Sequence, residues 1–126
     1  MTSTIRLFLL IEVVAFGVAA LTHLGFLFPG YAHHRASIAE TLIAIVLLLG
    51  LLVSLGSPAS IAAVGLWTQS FALFGTLVGL FTIAVGVGPR TRADIVYHVV
   101  IVIVLGCGLA VIFRNRRPSL THVTRD

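Results

Sequence analysis

The sequence is short of charge. Of its 126 residues only 10% are charged, and lysine is absent altogether. A soluble domain carries about 25% charged residues. With 59% of the residues hydrophobic, a chain this small has too much surface to hide them in one soluble core. That excludes an ordinary soluble enzyme, a disordered chain and a nucleic-acid module. Cysteine is nearly missing as well. Cys107 stands alone in an apolar run, can form no disulfide within the chain, and is expected to be a small core residue. There is also no nucleophile–base arrangement, phosphate loop or nucleotide fingerprint. The balance is against an enzyme, and decidedly against one acting on soluble substrates.

What the chain does have is apolar length. A bilayer core about 30 Å thick needs roughly 20 apolar residues in a helix. Four stretches qualify, at residues 5–28, 37–55, 60–85 and 94–113. Pro29-Gly30 breaks the first from the second, and Gly56-Ser57-Pro58 the second from the third. Ser37 has the character of an N-cap, and Glu40 follows three residues later at capping-box spacing. Short connections make sequential helices antiparallel neighbours. The expected fold is all-α: an integral membrane bundle of four antiparallel transmembrane helices in one domain, 1–114, with a loose polar tail at 115–126. Val18-Ala19-Ala20 offers small residues of the kind found at a leader cleavage site, but Glu12 interrupts the apolar run, so the first stretch is read as a retained span.

The eight arginines against four acids give a net charge of +4. Most of them flank apolar blocks and read as membrane-boundary charges rather than a nucleic-acid surface. Arg6, Arg114, Arg116, Arg117 and Arg125 fall on one side, and Arg35, Arg90 and Arg92 on the other. The expectation is a multi-pass protein of the inner (plasma) membrane with both termini in the cytoplasm.

Polar groups are costly inside a membrane, so their positions carry information. His23, near the end of the first helix, Glu40, near the start of the second, and His98, near the start of the fourth, share one end of the bundle, which this topology makes the outer one. Tyr31, His33, His34, Asp94 and Tyr97 lie there too, while His122 is in the tail. Glu12, Phe16, Ala19 and His23 recur on one helical face, and Asp94, His98, Ile101, Leu105 and Gly108 on another. Such faces turn inward, which would bring His23 and His98 towards each other. In the third helix Gly65, Thr68, Ala72, Gly75, Gly79, Thr82 and Gly86 make a seam of small residues. Gly75 and Gly79 form its small-xxx-small pair, suited to close helix packing or to a flat slot for a planar cofactor.

These residues support a candidate site and a plainer account of each. His23 and His98 suit ligation of a b-type haem or, with Glu40, of a divalent metal; the plain account is a pair of interfacial histidines bonded to each other, to Tyr97 or to water. Arg90 and Arg92 could clamp an anion such as a haem propionate, or simply be solvated. Glu40 and Asp94 could be helix caps, Asp94 also a partner of Arg90 or Arg92. Glu12 has no cation at its depth. It is expected to be a neutral acid hydrogen-bonded to Gln69 or Thr68, or else a proton-handling group. Trp67 needs no role beyond packing.

Several segments are similar to a group of uncharacterised small bacterial four-helix integral membrane proteins. They are Leu21-Thr22-His23-Leu24-Gly25, Ile38-Ala39-Glu40, Gly75-Thr76-Leu77-Val78-Gly79, Val87-Gly88-Pro89-Arg90-Thr91 and Tyr97-His98. The resemblance spans nearly the whole chain and implies the fold, but no activity. In broad shape the chain is also similar to four-helix membrane b-type cytochromes, an analogy of architecture alone. Three roles are therefore expected to compete. One is a binding or redox protein with an outward-facing His/Glu pocket. Another is an accessory subunit that self-associates or docks to a membrane partner through the third-helix seam. The last is a proton or cation conduit through Glu12, with Gln69 beside it.

Overall fold

A computed structural model describes residues 2–116. Four helices follow in order: α1 (Thr2–His23), α2 (His34–Gly56), α3 (Ile61–Ala84) and α4 (Arg92–Arg116), with a single 3-10 turn, Pro58–Ser60, leading into α3. All four are long and apolar enough to cross a membrane. Between 28% and 33% of each span's most apolar window is buried inside the protein. The rest points outward and carries large apolar side chains. On α3, Trp67, Phe74 and Phe81 follow one another at seven-residue spacing, 75%, 69% and 65% exposed. Water would penalise such a surface heavily; lipid does not. The protein is a multi-pass membrane protein.

The helix ends differ from the sequence expectation for local reasons. The first helix was expected to run to residue 28 and stops at His23. Gly25 takes a positive φ of 82°, and the amides of Gly25 and Phe26 close onto the carbonyls of Thr22 and Leu21. This is a Schellman stop, for which glycine is suited because it has no Cβ. Gly86 repeats the device after α3, with φ 80° and bonds from Gly86 and Val87 to Ile83 and Thr82. In α2 the N-cap is His33, whose Nδ1 accepts from the Ala36 amide at 3.3 Å. Ser37 is not the cap: it lies within the first turn and its hydroxyl donates to the His34 carbonyl. A capping box does occur, but on α4. There Thr91 Oγ1 accepts from the Asp94 amide at 3.2 Å while Asp94 Oδ2 accepts from the Thr91 amide at 2.8 Å. The fourth helix also outruns the expected 94–113. Apart from its first two residues, the tail at 115–126, including Arg117, His122 and Arg125, lies outside the described residues.

Each helix buries one stripe. On α1 it holds Ile5, Leu9, Glu12, Phe16 and His23, and on α4 Asp94, His98, Ile101, Leu105, Gly108 and Ile112. Contacts pair the start of one helix with the end of the next. Arg6 donates to the Ser54 carbonyl while His23 meets Glu40. A Cβ on Gly50 would strike Thr68, and one on Gly75 would strike Ile43. One on Gly108 would strike Gln69, and one on Gly79 would reach His98. The small-residue seam of α3 is therefore filled from within the chain. Gly65 lies against Ile5 and Ile112, Gly75 against α2 and Gly79 against α4. Cys107 is not in the core: it is exposed and free.

Candidate functional site: a histidine between two carboxylates

His23 is the last residue of α1 and is 4% exposed. The Schellman turn stops the helix there and sends the chain back, so that the His33 amide donates to the His23 carbonyl at 2.8 Å. The ring reaches two other helices. Nδ1 lies 2.7 Å from Glu40 Oε2 of α2, and Nε2 lies 3.3 Å from Asp94 Oδ1 of α4. Both carboxyls are 6% exposed. Asp94 is fixed in turn: its Oδ2 accepts from the Thr91 hydroxyl at 2.6 Å as well as from the Thr91 amide. An Oδ2 that receives two donors belongs to a carboxylate rather than to an acid carrying its proton there.

The arrangement permits two proton placements with no movement of heavy atoms. In one, the imidazolium donates from both nitrogens and both carboxyls are ionised. In the other, neutral His23 donates from Nε2 to Asp94 and accepts at Nδ1 from a protonated Glu40. One proton shifting across a 2.7 Å contact interconverts them.

The expected face-to-face pair of His23 and His98 is not formed. His98 Nδ1 lies 2.7 Å from the carbonyl of Asp94, one turn earlier on its own helix. A carbonyl only accepts, so Nδ1 carries the hydrogen and Nε2 keeps its lone pair when the ring is neutral. Both histidines thus attach to Asp94, one at its side chain and the other at its backbone. The expected pairing of Asp94 with Arg90 or Arg92 is also not seen. Both arginines are exposed, and Asp94 is taken by Thr91 and His23. Among the described residues, no group of three or more His, Cys, Asp and Glu side chains is placed to hold a metal ion.

Beside the trio is a cavity of ≈170 Å³. Small-molecule sites usually measure roughly 300–1,000 Å³, so this one suits a fragment far smaller than a haem. Its wall includes Glu40, Tyr97, His98, Gly75 and Gly79 from the sequence reading; His23 does not line it and stands behind Glu40. Phe16, on the inward face of α1, and His33, at the same end of the bundle, line it as well, together with Arg35, which the sequence places only among the boundary charges. Arg35, rather than Arg90 or Arg92, is the cation at this cleft. Tyr97 packs edge-on against Phe16 and His98, and its hydroxyl is buried without a partner. Asp94 was expected at the cap of the fourth helix, and its Thr91 partner also had a signal: Thr91-x-x-Asp94 has capping-box spacing.

Glu12 and Gln69 lie deeper, both 0% exposed. The hydrogen bond expected of Glu12 is not formed: no polar side-chain atom of Glu12 or Gln69 reaches hydrogen-bond geometry. Gly108 makes room for Gln69: a Cβ there would lie 2.8 Å from the amide nitrogen and from the amide oxygen. No family model, curated protein or solved structure matches the chain.

Proposed function

We propose that this small membrane protein has a binding role, seated in the cleft at the His23 end of the bundle. Glu40 is the contacting carboxyl and His23 its proton partner. The observation that carries this reading is the double position of Glu40. It lines the cleft while its Oε2 is held by a buried histidine that is itself anchored to a third helix. A carboxyl at a cavity wall with a proton donor directly behind it can meet a ligand as an anion or as an acid.

A metal or b-type haem is the narrower form of the same reading. Against it, His23 spends both ring nitrogens on carboxylates and the cleft has the volume of a fragment. The geometry therefore favours a small organic ligand. Native mass spectrometry of protein released gently from its membrane tests this, with elemental analysis of the same sample. We expect a mass above that of the bare chain, lost in Glu40→Gln protein that remains folded. A wild-type chain that always appears bare would refute the binding role. Near-stoichiometric iron, copper or zinc would restore the metal form.

One observation favours a second reading, proton handling at Glu12: a carboxyl and an amide, both fully buried, lie side by side without hydrogen-bond geometry. Liposomes distinguish it. Proton flux that falls in Glu12→Gln supports this reading, and flux unchanged by the substitution removes it.

A further inference from the structure

The cleft also carries information about what enters it. His98 Nδ1 is committed to the Asp94 carbonyl, so the neutral ring offers Nε2 as an acceptor. That nitrogen has no hydrogen-bond partner among the described residues. What lies against it is Gly79: a Cβ there would stand 3.0 Å from Nε2. A larger residue at 79 would crowd this nitrogen; with glycine there, His98 and Gly79 both face the cleft. The Tyr97 hydroxyl, also of this wall, has no partner and makes no hydrogen bond to Nε2; the two threonines cannot serve it, because Thr82 donates to the Gly79 carbonyl at 2.7 Å and Thr76 to the Ala72 carbonyl at 2.8 Å. Their hydrogens are spent within α3. Glu40 lines the same cleft and adds a carboxyl acceptor there. Donors stand where α2 begins: Arg35 and His33, whose Nδ1 accepts from the Ala36 amide and so leaves its hydrogen on Nε2.

Size and wall chemistry narrow the choice further. An apolar cavity of about 150 Å³ admits one benzene ring, and this one is ≈170 Å³. Phe16 and Tyr97 supply aromatic surface. A charged amine would leave water for a membrane-embedded pocket with Arg35 beside it, which is costly. A neutral hydroxyl on a single ring meets both the volume and the acceptors.

We propose that the cleft takes a lipid-soluble phenol, a single hydroxyl-bearing aromatic ring, whose hydroxyl donates to His98 Nε2 and whose ring packs against Phe16 and Tyr97. This rests on the cleft being a binding site and adds the ligand class.

The test uses the full chain in lipid nanodiscs, with ¹⁵N-labelled histidine and two probes that differ by one hydroxyl, p-cresol and toluene. Partition into empty nanodiscs is subtracted. Without a probe, the His98 ring is expected as the tautomer protonated at Nδ1. p-Cresol should shift the Nε2 resonance and bind about tenfold more tightly than toluene, the usual scale of one added hydrogen bond. Gly79→Leu should abolish both effects, and His98→Ala should erase the preference for cresol. The wild-type shift needs no variant, so a misfolded Gly79→Leu protein does not shield the proposal. An Nε2 resonance that cresol leaves unmoved, or equal affinity for the two probes, overturns it. If that result accompanies a native ligand lost in Glu40→Gln, the ligand class is wrong and the binding role stands. If it accompanies a bare chain, both fall.

Discussion

The bundle contains two buried polar regions, and they are held in different ways. At the His23 end the polar groups are bonded to one another: Glu40 to His23, His23 to Asp94, Asp94 to Thr91, and His98 to the Asp94 backbone. In the middle, Glu12 and Gln69 are more deeply buried but lack hydrogen-bond geometry. That layer is fitted instead by close approach, with Gly50 against Thr68 and Gly108 against Gln69. Burial alone therefore does not mark a polar network. One region is organised by directional bonds that fix protonation and orientation, and the other by absent side chains that let helices touch.

The comparison can be broken experimentally. The largest effect is expected from His23→Ala, which leaves two buried carboxyls without their shared partner. Breaking a buried charge pair in this way costs about 3–5 kcal/mol, to be read as unfolding free energy in detergent micelles. A loss below about 1 kcal/mol would show that the trio contributes no directional stability. Next is Gly50→Ala, whose methyl would lie 2.6 Å from Thr68 Cγ2. Overpacking of this kind costs about 1–3 kcal/mol, and Thr68→Ala in the same chain should recover most of it. Failure of the rescue would mean that the middle does not depend on this contact. Thr91→Ala removes one arm of the capping box and is expected to cost about 1 kcal/mol. Hydrogen exchange should place that loss in the first turn of α4. The smallest effect is expected from Glu12→Gln, which keeps the shape and breaks no bond of good geometry. It should change stability by less than about 1 kcal/mol. A cost as large as that of His23→Ala would show the middle to be a directional network after all.

Much of the fold was legible because lipid tolerates polar groups so poorly. The spacing of Glu12, Phe16, Ala19 and His23, and of Asp94, His98, Ile101, Leu105 and Gly108, identified the inward stripes of α1 and α4. The helix ends were less legible. Gly25 lies inside an apolar run, and only its backbone conformation shows that the helix stops there. The candidate site was legible as a gathering of residues but not as a set of partners. Spacing along one helix reveals a face; it does not reveal the axial register against another helix to within a turn. Asp94 and His98 are one turn apart on the same stripe, and that single turn decides which of them His23 meets. Arg35 was legible as a charge at the same end of the bundle; that it, and neither Arg90 nor Arg92, lines the cleft was not.

Asp94 holds two positions at once, as the acidic partner in the cap of α4 and as an anchor of His23. Its Oδ2 serves the first and its Oδ1 the second. Proton occupancy and local helix opening are thereby thermodynamically linked. A proton gained by Asp94 would weaken its grip on the Thr91 amide and on the His23 ring together. Fraying of the first turn of α4 would in turn loosen the histidine 71 residues away in sequence. The Thr91 amide is thus a natural reporter of the charge state of the buried trio, readable by its exchange rate without touching any residue of the cleft.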